Sequence, residues 1–225
     1  GRAQFEDLLY QNVRQVGAQS SANTELPSGL QLGTGVKVVS TEKIHTQGNV
    51  VQTGNALDMA ISGRGFFQIL MPNGDIAYTR NGSFKMSADG QMVTNNGYFL
   101  EPAITIPSDA TSISISNDGI VSVTQPGNPT PQQIGQIQLA DFINPTGLEP
   151  IGENLFRESV ASGAPTIGNP AEDERGALEQ HSLETSNVNV VEEMVNMIET
   201  QRAYEMNSKA ISTADQMLAF VTNNL

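Results

Sequence analysis

Ser112-Ile113-Ser114-Ile115-Ser116, then Asn117-Asp118-Gly119, then Ile120-Val121-Ser122-Val123-Thr124 is the stretch that decides the fold. Apolar and hydroxyl side chains alternate with a period of two on either side of a short turn. Asn, Asp and Gly tolerate the backbone that a tight hairpin turn demands. The pattern predicts two antiparallel strands. Ile113 and Ile115 share one face with Val121 and Val123, and the Ser and Thr side chains face water.

The same signals continue on both sides of this hairpin. Phe66-Phe67-Gln68-Ile69-Leu70-Met71 is an apolar run closed by the turn Pro72-Asn73-Gly74-Asp75, and Asn81-Gly82, Asp89-Gly90 and Asn95-Asn96-Gly97 are further turn signals. Turns at about ten-residue intervals predict a compact antiparallel β domain. Only 16% of residues are charged and Trp is absent, a balance that suits β structure built on small polar and β-branched side chains.

Towards the N-terminus the apolar density falls. Phe5, Leu8 and Leu9 predict one short helical turn, and a loop follows from Gly17 to Gly35, marked by Pro27, Gly29 and Gly33. Val36, Val38 and Ile44 open a strand-like alternation. Towards the C-terminus, Ser159 to Gly176 reads as a linker rich in Gly and Pro, with a solvated acidic run at Glu172-Asp173-Glu174. Beyond it, Val190 to Thr222 contains neither Gly nor Pro. Asn189 can cap a helix there, with Glu192 completing a capping-box pattern. Val190, Met197, Tyr204, Ile211 and Leu218 recur every seven residues, and Met194, Ala203, Ala210, Ala214, Met217 and Val221 widen the stripe. The expected fold is mainly β with a long C-terminal α-helix. Residues 1–49 form an extended N-terminal arm, 50–176 an antiparallel β domain ending in the linker, and 177–225 a C-terminal assembly helix.

Length gives that helix a consequence. From Asn189 to Asn224 it would span roughly 50 Å, whereas a compact sphere of this size is about 45 Å across. The stripe therefore needs other helices to cover it, and no second long helix is predicted; the expected partners are other subunits or an N-terminal helix missing from this sequence. Val190, Met194, Met197, Tyr204, Ile211 and Leu218 are the expected assembly interface; a helix folded back across the β domain is the competing arrangement.

Charge and composition exclude several classes. The net charge is −13 and there is no cysteine, so disulfides, thiolate catalysis and Cys-based metal sites are absent. Residues 1–100 carry seven basic and seven acidic side chains, residues 101–225 four and seventeen, and no Lys or Arg occurs from Glu101 to Pro150. Such a surface is a poor partner for nucleic acid. Gly63-Arg64-Gly65 precedes a strand-like run rather than a helix N-terminus, so turn chemistry is expected there and not a phosphate cradle. His45 and His181 lack metal-ligand spacing. Glu6 and Asp7 are adjacent and make a poor acid–base pair. Asn81-Gly82-Ser83 fits a glycan acceptor, but a hairpin turn is the simpler expectation. Met194, Met197, Met206 and Met217 read as packing groups at helix contacts. No catalytic residue, cofactor, metal or small-molecule substrate is expected.

Three blocks also carry a family resemblance. They are Gln52-Thr53-Gly54-Asn55-Ala56-Leu57-Asp58-Met59-Ala60-Ile61-Ser62-Gly63-Arg64-Gly65-Phe66-Phe67, then Tyr78-Thr79-Arg80-Asn81-Gly82-Ser83-Phe84, then Glu184-Thr185-Ser186-Asn187-Val188-Asn189-Val190-Val191-Glu192-Glu193-Met194 running into Gln201-Arg202-Ala203-Tyr204-Glu205. Together they resemble the bacterial flagellar rod and hook family. Phe5-Glu6-Asp7-Leu8-Leu9-Tyr10-Gln11 and Pro27-Ser28-Gly29-Leu30-Gln31-Leu32-Gly33-Thr34-Gly35 point to its distal-rod branch. Family members begin with a helix bearing an Asn-Asn-Leu-Ala-Asn-type motif, which this sequence lacks. The resemblance implies a non-enzymatic subunit that assembles with copies of itself into a helical tube and transmits torque from motor to hook. It implies proximal rod proteins, hook protein and the surrounding P and L ring proteins as neighbours, and a place in the basal body from periplasm to outer membrane. A secreted β-domain binding module on a helical stalk is the alternative. A carboxylate-based glycosidase is a weaker third.

Overall fold

The computed structural model describes residues 1–17, 19–21, 24–25 and 27–223. The hairpin expected across residues 112–124 is present. Strand Ser112–Ile115 pairs antiparallel with Ile120–Gln125, setting Ile113 opposite Val123 and Ile115 opposite Val121. Asn128–Gln136 adds a third strand. Ile115, Val121 and Val123 are buried, as the alternation requires.

This small sheet packs on a nine-stranded one through a shared apolar core. Its central strand, Phe66–Leu70, is the apolar run of the sequence, and it is hydrogen-bonded to Ile76–Thr79, Phe99–Glu101 and Leu139–Asp141. A strand with neighbours on both edges and cover on both faces reads as unbroken apolar sequence rather than alternation. Phe67 meets Phe84 edge to face with centroids 5.2 Å apart, and both are fully buried with Met59, Ile69, Leu100 and Leu139. Each such side chain stabilises the fold by about 1.5–3 kcal/mol. Phe66, Tyr78, Phe142 and Leu148 form a smaller cluster on the other side of the central strand.

Four predicted turns join paired strands: those at Pro72–Asp75, Asp89-Gly90, Asn95–Gly97 and Asn117–Gly119. Asn81-Gly82 does not. The strands it connects, Ile76–Thr79 and Phe84–Met86, lie apart in the sheet. Gly82 instead lets the backbone pass against the carbonyl of Met59, where any Cβ would collide.

The N-terminal region differs from expectation. Phe5, Leu8 and Leu9 form no helical turn. Arg2–Asp7 pairs with Val36–Glu42, and Tyr10–Arg14 pairs with Leu30–Gly33, giving a two-stranded ribbon. The reason is a period-two pattern that becomes visible once the distant partner is known. Gln4 faces Ser40 and Glu6 faces Lys37 on a polar side, with a Glu6–Lys37 pair at 3.5 Å. Phe5 faces Val38 and Asp7 faces Val36 on the other. Phe5, Val36 and Val38 are all exposed.

The stretch from Ser159 to Gly176 also differs, because it is part of the body rather than a free linker. Thr166–Gly168 pairs with Leu139–Asp141. Ser162 is buried, and its Oγ donates to the carbonyl of Ser159 at 2.9 Å. The acidic run lies on a turn with positive φ at Ala171, Asp173 and Glu174. Beneath it the buried Arg175 donates to the carbonyl of Asn169 at 3.0 Å and to Asp173 at 2.9 Å. Residues expected to begin the helical segment are strands, Ala177–Gln180 and Ser182–Glu184, paired with Met59–Ser62 and Val50–Gln52.

The helix, α1, runs Val190–Asn223, 34 residues or about 51 Å. Its expected end at Asn224 lies outside the described residues. Asn189 caps it, its Oδ1 accepting from the N–H of Val191 at 3.1 Å. Glu192 and Glu193 in the first turn complement the positive end of the helix dipole.

Candidate assembly interface

Every residue of α1 from Val190 to Thr222 is exposed. Val190, Met194, Met197, Tyr204, Ile211 and Leu218 are between 58% and 76% exposed, so the β body covers none of them. The competing arrangement, a helix laid back across the body, is not the one adopted. Monomeric soluble proteins rarely leave so long an apolar run in water.

The apolar surface is wider than the heptad series. At about 100° per residue that series drifts slowly round the helix. Val191, Val195, Ile198, Met206 and Phe220 lie roughly a quarter to a half of a turn away from it, and all are exposed. Counting sevens from Val190 misses this second band; tracing Val191, Val195 and Ile198 at spacings of four and three finds it. A helix apolar on two sides is suited to burial among several neighbours, whereas a single stripe suits one. The charged residues Glu192, Glu193, Glu199, Arg202, Glu205, Lys209 and Asp215 are distributed along it, with no run longer than the Glu192-Glu193 pair.

The other singled-out residues have structural duties. Gly63 and Gly65 adopt φ of 121° and 128° in the turn before the central strand. Arg64 there donates to the carbonyl of Phe142 at 3.1 Å and pairs with Asp141 at 3.2 Å. His181 approaches the carbonyl of Asn55 at 3.2 Å, and His45 lies at the edge of a cleft near the end of the ribbon. Burial, then the charges of Lys43 and Arg80, hold the His45 pKa below its ordinary value. Asn81 Oδ1 accepts from the N–H of Ser83 at 3.2 Å, a local turn bond. No helix among the described residues is long and apolar enough to cross a membrane.

Comparison with known proteins bears on what such an exposed helix is for. Residues 60–123 match the model of the flagellar hook protein FlgE/F/G D1 domain, and residues 179–225 match that of the flagellar basal body rod FlgEFG protein C-terminal region. The chain is 57% identical over 217 residues to the flagellar basal-body rod protein FlgG of Buchnera aphidicola from Acyrthosiphon pisum, covering 96% of this chain and 84% of that protein. It is 53% identical to the FlgG of Caulobacter vibrioides over 96% of this chain and 83% of that one. It is 38% identical to the FlgG of Bacillus subtilis over 99% and 85%. The chain thus belongs to the FlgG family of flagellar basal-body rod proteins, structural subunits of the distal rod.

Proposed function

We propose that this chain polymerises through α1 into the distal rod, as a straight helical tube carrying torque from motor to hook. The observation that carries this reading is the 34-residue helix, exposed along its whole length beside a body whose core is closed. Val190, Met194, Met197, Tyr204, Ile211 and Leu218, joined by the second apolar band, would be buried between copies. Polymerisation of identical subunits through unlike surfaces extends into an open helix when the rotation does not close. On this reading the units are a ribbon, a β body and an assembly helix. The neighbours are other copies, proximal rod proteins at one end, hook protein at the other, and P and L ring proteins around the tube between periplasm and outer membrane. None of these roles requires catalysis.

The acidic excess fits the outer wall. Asp109, Asp118 and Glu149 are exposed, and Asp141 is partly covered beside Arg64. Diffuse like charge acts over about a Debye length, ~8 Å at physiological salt, and does not lock into one register. Reversing several of these to Lys should disturb ring fit or rotation more than polymerisation. Burial of most of them at contacts between copies would overturn that assignment.

Electron microscopy of the full-length protein tests the main reading. Straight tubes are expected; dispersed particles under all assembly conditions would favour the binding-module alternative instead.

A further inference from the structure

The third block of the resemblance lies about a hundred residues beyond the first two in sequence, yet all three meet at one place, where the chain enters the body from the ribbon and leaves it for α1. Arg80, from the second block, is the centre. Its Nε donates to Glu184 Oε2 at 2.7 Å, its Nη1 to the carbonyl of Gly65 at 2.9 Å, and its Nη2 to those of Gly63 at 2.6 Å and Ile61 at 3.1 Å. The side chains of Arg80 and Glu184 are 23% and 11% exposed. Glu184 Oε1 accepts from the N–H of Gly48 at 2.8 Å. One ion pair therefore joins the turn before the central strand, the incoming chain and the outgoing chain.

The lacing continues towards the helix. Asn187 Nδ2 donates to the carbonyls of Ile44 at 3.1 Å and Thr46 at 3.0 Å. Thr185 donates to the carbonyl of Asn49 through both its N–H and its Oγ1. Gln47 bridges back to the body, donating to the carbonyl of Ile61 at 3.2 Å and accepting from the N–H of Gly63 at 3.1 Å. Gly48 runs so close to the carbonyl of Thr185 that no Cβ would fit.

Stability alone does not account for this arrangement. A partly buried ion pair pays back little more than its desolvation, and an apolar contact would serve folding as well. A planar guanidinium held by a carboxylate and three carbonyls fixes an orientation. Orientation is what α1 lacks elsewhere, because the body supports none of its residues from Val190 to Thr222. We propose that Arg80, Glu184 and Asn187 form a torsional clamp that sets the angle of α1 and the ribbon root to the body. A load entering through α1 then reaches the body without a hinge at 185–189. The proposal rests on the rod reading and adds the residues that make the rod stiff.

The test is the bending persistence length of rods grown from full-length protein, read from electron micrographs. Arg80→Lys keeps the charge and loses the fork. Asn187→Ala removes donors whose acceptors border solvent, so it keeps the test open if Arg80→Lys fails to fold. A core variant, Val123→Ala, serves as a control that lowers body stability without removing any clamp bond. Rods of both clamp variants should form, with a persistence length shortened by roughly twofold or more because the orienting bonds are gone. Val123→Ala rods should stay as straight as wild type despite an earlier thermal transition. Clamp variants as stiff as wild type would overturn the proposal, and so would equal softening in Val123→Ala. Failure of the wild type to polymerise would defeat the rod reading itself, a distinguishable outcome.

Discussion

His45 lies edge-on to two rings, with centroids 5.9 Å from Phe66 and 5.4 Å from Phe156. Burial opposes its protonation first, and Lys43 and Arg80 oppose it further, though Arg80 is largely balanced by Glu184. With a depressed folded pKa the imidazole is neutral in the fold at neutral pH. The unfolded chain takes up its proton near the ordinary value, roughly 6.5, and the folded chain only at lower pH. The His45 contribution to stability is therefore complete above the unfolded value. It declines as pH falls below it and levels off once pH has passed the folded value. The thermal transition should fall more between neutral and mildly acid pH in wild type than in His45→Phe, as calorimetry can read. Gly82 offers a second residue-scale check. Its Cβ position is occupied by the carbonyl of Met59, so Gly82→Ala should cost about 1–3 kcal/mol by the usual scale of overpacking, seen as an earlier unfolding midpoint. The sequence marked Gly82 as a hairpin glycine. Its real constraint is a close approach by a strand about twenty residues upstream, which local turn chemistry cannot reveal.

At the scale of elements, legibility followed the distance between partners. The hairpin of Ile113, Ile115, Val121 and Val123 was readable because both strands and their turn lie in one short window. The ribbon was not. Phe5 finds Val38, and Gln4 finds Ser40, across more than thirty intervening residues, so local pattern alone predicts a helical turn at Phe5, Leu8 and Leu9. Gly, Pro and acidic residues signal an exposed linker, whereas here they form a turn folded over the buried Arg175. For α1 the absence of Gly and Pro gave its extent, and the heptad gave one face. The second face was hidden by mixing with charged residues. An element that the body does not cover should be separable from it by mutation. Ile211→Asp puts a charge into a helix contact at a cost of several kcal/mol. Polymerisation should be lost in light scattering while the calorimetric transition of the β body stays where it was. A lost body transition would contradict this.

The whole molecule joins a body with a closed core to two appendages without one. Leu57, Met59, Phe67, Phe84, Leu100 and Leu178 are buried in the body, whereas the ribbon strands Arg2–Asp7, Tyr10–Arg14, Leu30–Gly33 and Val36–Glu42, and α1, leave their apolar residues in water. A two-stranded ribbon is marginal on its own, and an isolated helix gains little from propensity alone. Both fit a subunit completed by its neighbours. Amide hydrogen exchange, compared between dispersed subunits and polymer, tests this most directly. In a confirmed monomer, residues 190–223 should exchange fast while Ile113, Ile115, Val121 and Val123 exchange slowly. In the polymer, protection should appear along α1 on the sides of Val190, Tyr204, Ile211 and Leu218 and of Val191, Val195 and Ile198. A helix already fully protected in the monomer, or one still unprotected in the polymer, would contradict the claim that α1 is the assembly element.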